Sequence, residues 1–229
     1  MKLSWLGHSG FRIEIEDQVI LLDPWISNPL FDPARRAEAL QGATHVLLTH
    51  GHGDHASDTV AIAKELNIPV VGIYDLLSFW EQKHGIATIG FNKGGTVRLG
   101  NVAVTMVSAT HSSSYPGGEG PVYGGTEAGF MIAGEGKTIY VSGDTDVMAD
   151  MAIFEDLHHP EIGILCAGGH FTMDMKRAGY AAKKFFNFET VIPCHYRTFG
   201  LLEQSADELA AMLPGVRVIE PQILEPIEL

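Results

Sequence analysis

Short apolar runs separated by turn residues dominate the first part of the chain. Alternating or continuous apolar positions over a few residues are typical of half-buried or fully buried β-strands. Polar pairs such as Glu16-Asp17 divide the runs from one another. The pattern predicts strands at Leu3–Leu6, Phe11–Ile15, Val19–Leu22 and Val46–Thr49.

A helical spacing of apolar residues follows these strands. Thr59–Leu66 carries Val60, Ala61, Ala63 and Leu66 at positions that favour an amphipathic helix, with Asp58 as its predicted N-cap. Asn67 and Pro69 then predict its end. The next stretch predicts a strand at Val70–Ile73 and a second helix at Tyr74–Lys83.

The second part of the chain alternates strands and helices in the same way. Strands are predicted at Thr96–Leu99, Val102–Val107, Ala128–Ile132, Thr138–Ser142, Ile162–Leu165 and Val191–Ile192. Helices are predicted at Met148–Leu157, Lys176–Phe186 and Ala206–Met212, the last capped by Ser205. This alternation predicts an α/β protein in which two mixed sheets pack together with helices outside.

Length and composition support one compact unit. The chain has 229 residues, of which 45% are hydrophobic, and it contains no low-complexity tract or Pro/Ser-rich linker. We therefore expect a single domain over residues 1–229. No apolar run reaches the roughly 18 residues of a membrane span, and the N-terminus lacks the pattern of a signal peptide. With only Cys166 and Cys194 as cysteines, we expect a cytoplasmic protein without a disulfide framework.

The charge of the chain narrows the class of its partners. The formal net charge is −13, and non-specific binding to nucleic acid needs a basic surface. A nucleic-acid partner is therefore disfavoured, whereas a small-molecule substrate is compatible with this charge. The oligomeric state stays open, with a homo-oligomer among the options.

Residues that can bind a metal are most concentrated in the segment Thr49-His50-Gly51-His52-Gly53-Asp54-His55. Neutral imidazole nitrogens and carboxylate oxygens are ligands for first-row divalent metals. The intervening glycines allow a backbone tight enough for neighbouring side chains to reach different ions. Because a predicted buried strand leads into the segment, we expect a metal site on the loop that follows this strand.

Three further residues follow predicted strands in the same relative position. His111 comes after Val102–Val107, Asp144 lies in Ser142-Gly143-Asp144-Thr145, and His195 follows Val191-Ile192-Pro193-Cys194. A single histidine after a strand is more often an ordinary polar residue. Together with the first segment, however, the three positions predict completion of a metal site.

The order of these motifs resembles the metallo-β-lactamase superfamily of dinuclear metal hydrolases. Shorter motifs resemble a family of metal-dependent hydrolases related to the ascorbate-6-phosphate lactonases; they are Gly7-His8-Ser9-Gly10-Phe11, Asp23-Pro24, Gly94-Gly95-Thr96, His111-Ser112-Ser113-Ser114, Gly124-Gly125, Gly143-Asp144-Thr145, Phe171-Thr172-Met173 and His195-Tyr196. The resemblance covers nearly the whole chain. It implies a four-layer αββα sandwich with the metals at one edge of the two sheets.

The resemblance also implies a division of the ligands between two ions. His50, His52 and His111 would hold one metal, Asp54, His55 and His195 the second, and Asp144 would bridge both. Zinc is the first expectation for this ligand set, and Mn, Fe, Co or Ni would also fit. Such a pair would generate a metal-bridging hydroxide at neutral pH, which Asp54 could orient.

Several other residues have two interpretations on sequence alone. His170 could act as an acid toward the leaving group or donate to an oxyanion, or could be a structural turn residue. His8 could be an outer hydrogen-bond partner of a metal ligand or a core residue bonded to the backbone. Tyr196 and Ser112 adjoin predicted ligands and could contact substrate. The segment 112–125 could be a lid or a surface loop.

The predicted function is metal-dependent hydrolysis of a small-molecule lactone, ester or phosphoester. One alternative is a nuclease or phosphodiesterase of the same superfamily, which the charge and the short chain disfavour. Another is an iron-dependent redox enzyme. In the flavin-linked di-iron members of the superfamily a Glu occupies the position of His52, so an oxygen-reducing role is disfavoured.

Overall fold

The computed structural model describes residues 1–116 and 120–229, which form two large sheets and a small hairpin. The first sheet has the order β16-β1-β2-β3-β4-β5-β6, with β1 Lys2–Gly7, β2 Gly10–Ile15, β3 Gln18–Leu22, β4 His45–Leu48, β5 Val70–Ile73, β6 Thr88–Phe91 and β16 Pro226–Glu228. The second has the order β15-β14-β13-β12-β11-β8-β7, with β7 Thr96–Leu99, β8 Val102–Ser108, β11 Ala128–Gly134, β12 Lys137–Val141, β13 Ile162–Cys166, β14 Thr190–Cys194 and β15 Arg217–Val218. The hairpin pairs β9 Ser114–Pro116 with β10 Pro121–Tyr123.

Both large sheets combine an antiparallel part with a parallel part. In the first sheet β1, β2 and β3 are antiparallel, whereas β3, β4, β5 and β6 run parallel. In the second sheet β7, β8, β11 and β12 are antiparallel, and β12, β13, β14 and β15 run parallel. Parallel strands end at a common edge, so the segments that follow them are brought together there.

Helices connect the strands and cover the sheets. Their bounds are α1 Arg36–Leu40, α2 Gly53–Ala56, α3 Thr59–Leu66, α4 Tyr74–His84, α5 Met151–His158, α6 Met175–Phe185 and α7 Asp207–Met212, with a 3₁₀ turn at Pro33–Arg35. In α6 the small residues Ala178, Ala181 and Ala182 form the buried face. Among the described residues no helix is long and apolar enough to cross a membrane.

The two sheets share a contiguous hydrophobic core. Phe91 of β6 stacks on Phe130 of β11 with 6.1 Å between ring centroids. Trp5 of β1 likewise stacks on Tyr196, which follows β14, with 5.9 Å between ring centroids. Trp5, Phe130 and Tyr196 are buried, and Phe91 is partly exposed. The predicted sandwich of two mixed sheets flanked by helices is confirmed.

Several local features differ from the sequence prediction. Asp58 is the N-cap residue of α3, as predicted, but its side chain forms no capping hydrogen bond; its Oδ2 instead accepts a hydrogen bond from the Ser27 backbone at 2.7 Å. The helix predicted from Met148 begins at Met151. Strands β6 and β16 were not predicted, because exposed or short edge strands carry little apolar pattern. The segment 112–125 contains the β9–β10 hairpin, while positions 117–119 of this predicted lid or loop lie outside the described residues.

Candidate metal centre

The predicted ligands meet where strands of both sheets end. β4 leads through Thr49 into His50 and His52, and the short helix α2 then carries Asp54 and His55. The remaining three residues follow strands of the second sheet; they are His111 after β8, Asp144 after β12 and His195 after β14. The site is therefore built across both sheets and depends on their packing.

Three imidazoles form a first group. His50, His52 and His111 each place a ring nitrogen within 4.8 Å of those of the other two. Nε2 of His50 lies 3.0 Å from Nδ1 of His52. His50 is fully buried, whereas His52 and His111 are partly exposed. The group can offer three nitrogen ligands to one ion.

A second group combines imidazoles with a carboxylate. Asp54, His55 and His195, together with His8, place one donor atom each within 4.8 Å of one another. Oδ2 of Asp54 lies 3.6 Å from Nε2 of His195. Asp54 is partly exposed, and both histidines of the predicted set are buried. This mixed oxygen and nitrogen set can hold a second ion.

Asp144 lies between the two groups. Its Oδ2 atom is 3.1 Å from Nε2 of His195 and 3.3 Å from Nε2 of His55. The same oxygen is 3.6 Å from Nε2 of His111 and 3.9 Å from Nε2 of His50. One buried carboxylate thus faces imidazoles of both groups, which is the placement that a bridging ligand requires.

The charges of the cluster are strongly coupled. Burial raises the pKa of Asp144, but the neighbouring His195 and His55 outweigh it and hold this pKa well below its usual range. Burial lowers the pKa of His195, yet Asp144 raises it overall to about 9. For His50, burial and the adjacent imidazole of His55 lower the pKa well below its ordinary value. The Asp144 carboxylate is therefore ionised and the His50 ring is neutral, whereas a bound cation would have to displace the proton that Asp144 stabilises on His195.

The donor atoms fit a divalent cation. Nε2 of His55 and Nε2 of His195 lie close to Oδ2 of Asp144 but form no hydrogen bond of good geometry with it, and Oδ1 of Asp144 has no partner either; all three atoms are buried. Buried polar atoms without partners are costly, and a cation in contact with them would satisfy them. Imidazole nitrogen and carboxylate oxygen are ligands that zinc and other first-row ions accept. The residues present are consequently compatible with the expected metals.

Asp23 supports this cluster from behind, a role that the sequence pattern did not reveal. Its Oδ2 atom lies 2.8 Å from Nδ1 of His55 and accepts a 2.6 Å hydrogen bond from Oγ1 of Thr49. Its Oδ1 accepts from the Thr49 backbone at 2.8 Å. A buried carboxylate on the far ring nitrogen fixes the orientation of a ligand histidine. The available signal was the position of Asp23 at the carboxyl end of β3.

His8 links Asp54 to Thr198. Nε2 of His8 lies 3.1 Å from Oδ2 of Asp54, and Nδ1 lies 2.8 Å from Oγ1 of Thr198. Burial lowers the pKa of His8 to about 4, so its ring is neutral and carries one N–H. Since a carboxylate only accepts, Nε2 of His8 donates to Asp54, which leaves Nδ1 to accept from the Thr198 hydroxyl; this hydroxyl also lies 3.2 Å from the Tyr196 carbonyl oxygen. The chain of three side chains fixes the Asp54 carboxylate.

A cavity of about 320 Å³ opens over the cluster. It is lined by His52, Asp54, His111, Ser112, Asp144, Phe171 and His195. A larger cavity of about 390 Å³ lies between α6 and α7, but its lining contains no histidine or acidic residue. Of these two cavities, the one over the cluster is lined by predicted metal ligands.

Other residues singled out in the sequence occupy different places. His170 is exposed and lines a separate depression with Asp174 and Glu203, while its neighbour Phe171 lines the cavity over the cluster. Ser112 lines that cavity as well, whereas Tyr196 is a buried core residue. Cys166 and Cys194 are free and buried.

Comparisons with known proteins agree with this arrangement. The family model described as "Beta-lactamase superfamily domain" matches residues 18–196. A protein of Paracoccus denitrificans named "UPF0173 metal-dependent hydrolase" is 67% identical over 230 aligned positions, which cover 100% of both chains. This match therefore spans the whole chain, including the segments that carry the cluster.

Solved structures also resemble the chain. Igni18, a metallo hydrolase from the archaeon Ignicoccus hospitalis, is 32% identical with a TM-score of 0.85, and the match covers 100% of this chain and 98% of that one. The metallo-beta-lactamase fold protein YhfI from Bacillus subtilis has a TM-score of 0.73 at 16% identity, covering 99% of each chain. At that identity the second likeness supports the fold alone.

Proposed function

The chain belongs to the beta-lactamase superfamily and to its UPF0173 metal-dependent hydrolases, and on that premise we propose that it hydrolyses a small molecule at a two-cation centre. The substrate class in this proposal is a lactone, an ester or a phosphoester. The observation that carries the proposal is the position of Asp144, whose Oδ2 lies within 3.9 Å of imidazole nitrogens from both groups. Two neighbouring ions that share one carboxylate account for this placement.

Seven side chains would hold the two cations. His50, His52 and His111 would bind the first, Asp54, His55 and His195 the second, and Asp144 both. Zinc is the first choice, with Mn, Fe, Co and Ni as the alternatives that the ligand set accepts. When bound, such ions make water a better nucleophile at neutral pH and polarise the carbonyl or phosphoryl group under attack.

The protein's own groups would orient the attacking water. Asp54 lines the cavity, and its ionised carboxylate can accept a hydrogen bond from water there. His8 and Thr198 hold this carboxylate in place by their hydrogen bonds. Asp23 keeps His55 in one orientation from the opposite side of the ring. These contacts supply the fixed geometry that hydrolysis of a small molecule needs.

We also propose His170 as a candidate acid toward the leaving group, although its exposed ring lies outside the cavity lining.

We propose that residues 1–229 form a single domain, which is supported by a core cluster that includes residues of both sheets.

The proposal is tested by metal removal and restoration. Protein treated with a chelator and dialysed should lose hydrolysis of a panel of lactones, esters and phosphoesters, and one cation at a time should restore it. Elemental analysis of the untreated protein identifies the resident metal. Iron content without hydrolysis of any panel member would instead favour the redox alternative and would refute the hydrolase proposal.

A further inference from the structure

The part of the cavity that a substrate would contact beyond the seven predicted ligands is small and uncharged. Of the described residues that line it, Phe171 and Ser112 are the two outside the predicted ligand set. Phe171 is 52% exposed, and although its ring contacts the His170 ring with 4.6 Å between centroids, part of it is open to a bound molecule. A phenyl face and one hydroxyl group would therefore meet whatever part of the substrate extends away from the reacting group.

No lysine or arginine lines this cavity among the described residues, and positions 117–119 contain neither in the sequence. Two arginines, Arg177 and Arg197, come soon after segments of the site in the sequence, but both contact other side chains. Arg177 forms two hydrogen bonds with the Asp146 carboxylate, at 2.7 and 2.8 Å. The Arg197 guanidinium lies 5.9 Å from the ring centres of both Trp5 and Tyr196. A remote phosphate or carboxylate on the substrate would find no cationic side chain there.

The charge around the cavity also disfavours a second anionic group. The formal net charge of the chain is −13. The carboxylate of Glu127 contacts the segment that carries His111, where its Oε1 accepts a 3.0 Å hydrogen bond from the His111 backbone. Recognition of phosphate or carboxylate normally uses arginine or lysine donors. A second anionic group of the substrate could be attracted only by the bound cations, and the reacting group would already occupy the free positions on those cations.

We propose that the substrate is a neutral ester or lactone whose non-reacting part is apolar and about the size of a phenyl ring, packed against Phe171. This inference rests on the proposed hydrolase function. In the reaction, the water oxygen bonds to the acyl carbon, the acyl C–O bond breaks, and the leaving oxygen takes a proton to become an alcohol. In a lactone the two products remain one hydroxy acid.

Binding of two matched hydroxamates tests the inference without any turnover. Phenylacetohydroxamic acid and phosphonoacetohydroxamic acid share a metal-chelating group and differ in the remote phenyl or phosphonate. Titration calorimetry on the zinc-loaded full chain should give at least roughly tenfold tighter binding of the phenyl compound, as expected for burial of an aromatic contact. Equal or tighter binding of the phosphonate compound would overturn the inference.

Substitution of Phe171 tests whether this residue is the source of the preference for the phenyl compound. Phe171→Ala should weaken binding of phenylacetohydroxamic acid by about tenfold and leave acetohydroxamic acid unchanged. Tyr180→Ala is the matched control, because Tyr180 is an aromatic residue on α6 with the same 52% exposure and lies outside the cavity lining. Equal effects of the two substitutions, or no effect of Phe171→Ala, would contradict the assignment of Phe171.

Hydrolysis separates failure of this inference from failure of the proposed function. 4-Nitrophenyl butyrate and 4-nitrophenyl hemisuccinate share a leaving group, and only the second carries a remote carboxylate. We expect kcat/KM to be at least about tenfold higher for the butyrate. A preference for the hemisuccinate would overturn the neutral-substrate inference and keep the hydrolase. Tight phenyl hydroxamate binding without hydrolysis of any ester or lactone would refute the hydrolase and keep the binding preference.

Discussion

Oδ2 of Asp144 lies 3.1 Å from Nε2 of His195, and both side chains are almost completely buried. They follow β12 and β14, which flank β13 in the second sheet. The same oxygen lies 3.3 Å from Nε2 of His55, which belongs to α2 beyond the end of β4 in the first sheet. One carboxylate therefore contacts residues presented by both halves of the sandwich.

Removal of the His8 side chain should loosen the second cation selectively. His8→Ala deletes the hydrogen bond that holds Oδ2 of Asp54, so we expect cation affinity in that group to fall about 10- to 100-fold. Thr198→Val should have a smaller effect of the same kind, because His8 then keeps its ring but loses the partner of Nδ1. Competition with a chromogenic chelator measures both affinities.

Thr198→Ser is the control for the His8 prediction, since serine retains the hydroxyl. It should bind both cations as the wild type does. If His8→Ala also binds both with unchanged affinity, the contact between His8 and Asp54 has no positioning role.

Asp23→Asn should disturb His55 without removing any predicted ligand. The amide would place its NH₂ group against one of the two donor positions that now meet carboxylate oxygens, either the Thr49 backbone N–H or the Thr49 hydroxyl beside Nδ1 of His55. We expect a loss of roughly 1–3 kcal/mol in the free energy of unfolding and a roughly 10- to 100-fold loss of cation affinity. Urea unfolding and chelator competition give the two values.

Asp58→Asn is the comparison for Asp23. Asp58 also accepts a backbone hydrogen bond, from Ser27, but it lies outside the cavity lining. It should leave cation affinity unchanged. An Asp23→Asn protein with wild-type affinity would show that orientation of His55 does not depend on this carboxylate.

Much of the fold follows from local sequence, whereas the support of the site does not. Thr59–Leu66 and Val70–Ile73 have the predicted bounds because their apolar spacing matches their burial. Strand β16 was missed because its pairing with β1 depends on residues at the other end of the chain. Predicted ligands such as His111 could be selected because they follow apolar strands. Asp23 also follows an apolar strand, but nothing local distinguishes a supporting carboxylate from a ligand, and Thr198 carries no such pattern; only the packed sheets bring these two residues to His55 and His8.

Gly168→Ala should displace His195 by steric overlap. A Cβ atom at this position would collide with the His195 carbonyl oxygen and lie 3.0 Å from its Nδ1. We expect a loss of roughly 1–3 kcal/mol in the free energy of unfolding, together with weaker binding of the second cation. Gly200→Ala is the matched control, since a Cβ there meets no atom within 4 Å. Equal stability and affinity of the two variants would contradict the close packing of Gly168 against His195.

Both thiols should be unreactive in the folded protein. Burial raises the pKa of Cys166 to about 11 and that of Cys194 well above its ordinary value. The reactive thiolate is therefore scarce at pH 8, and the sulfur atoms are also shielded from reagents. A thiol-disulfide reagent should modify no cysteine in native protein and two in denaturant. Rapid modification of either cysteine before unfolding would contradict the burial of both.

The number of divalent cations bound per chain tests the central claim most directly. Protein loaded with zinc, dialysed and measured by elemental analysis should hold two ions per chain in the wild type and at most one in Asp144→Asn, because the amide removes the charge shared by both groups. Asp146→Asn, which alters an exposed carboxylate paired with Arg177, should retain two. A wild-type chain that holds only one ion, or an Asp144→Asn chain that holds two with unchanged affinity, would contradict a centre bridged by Asp144.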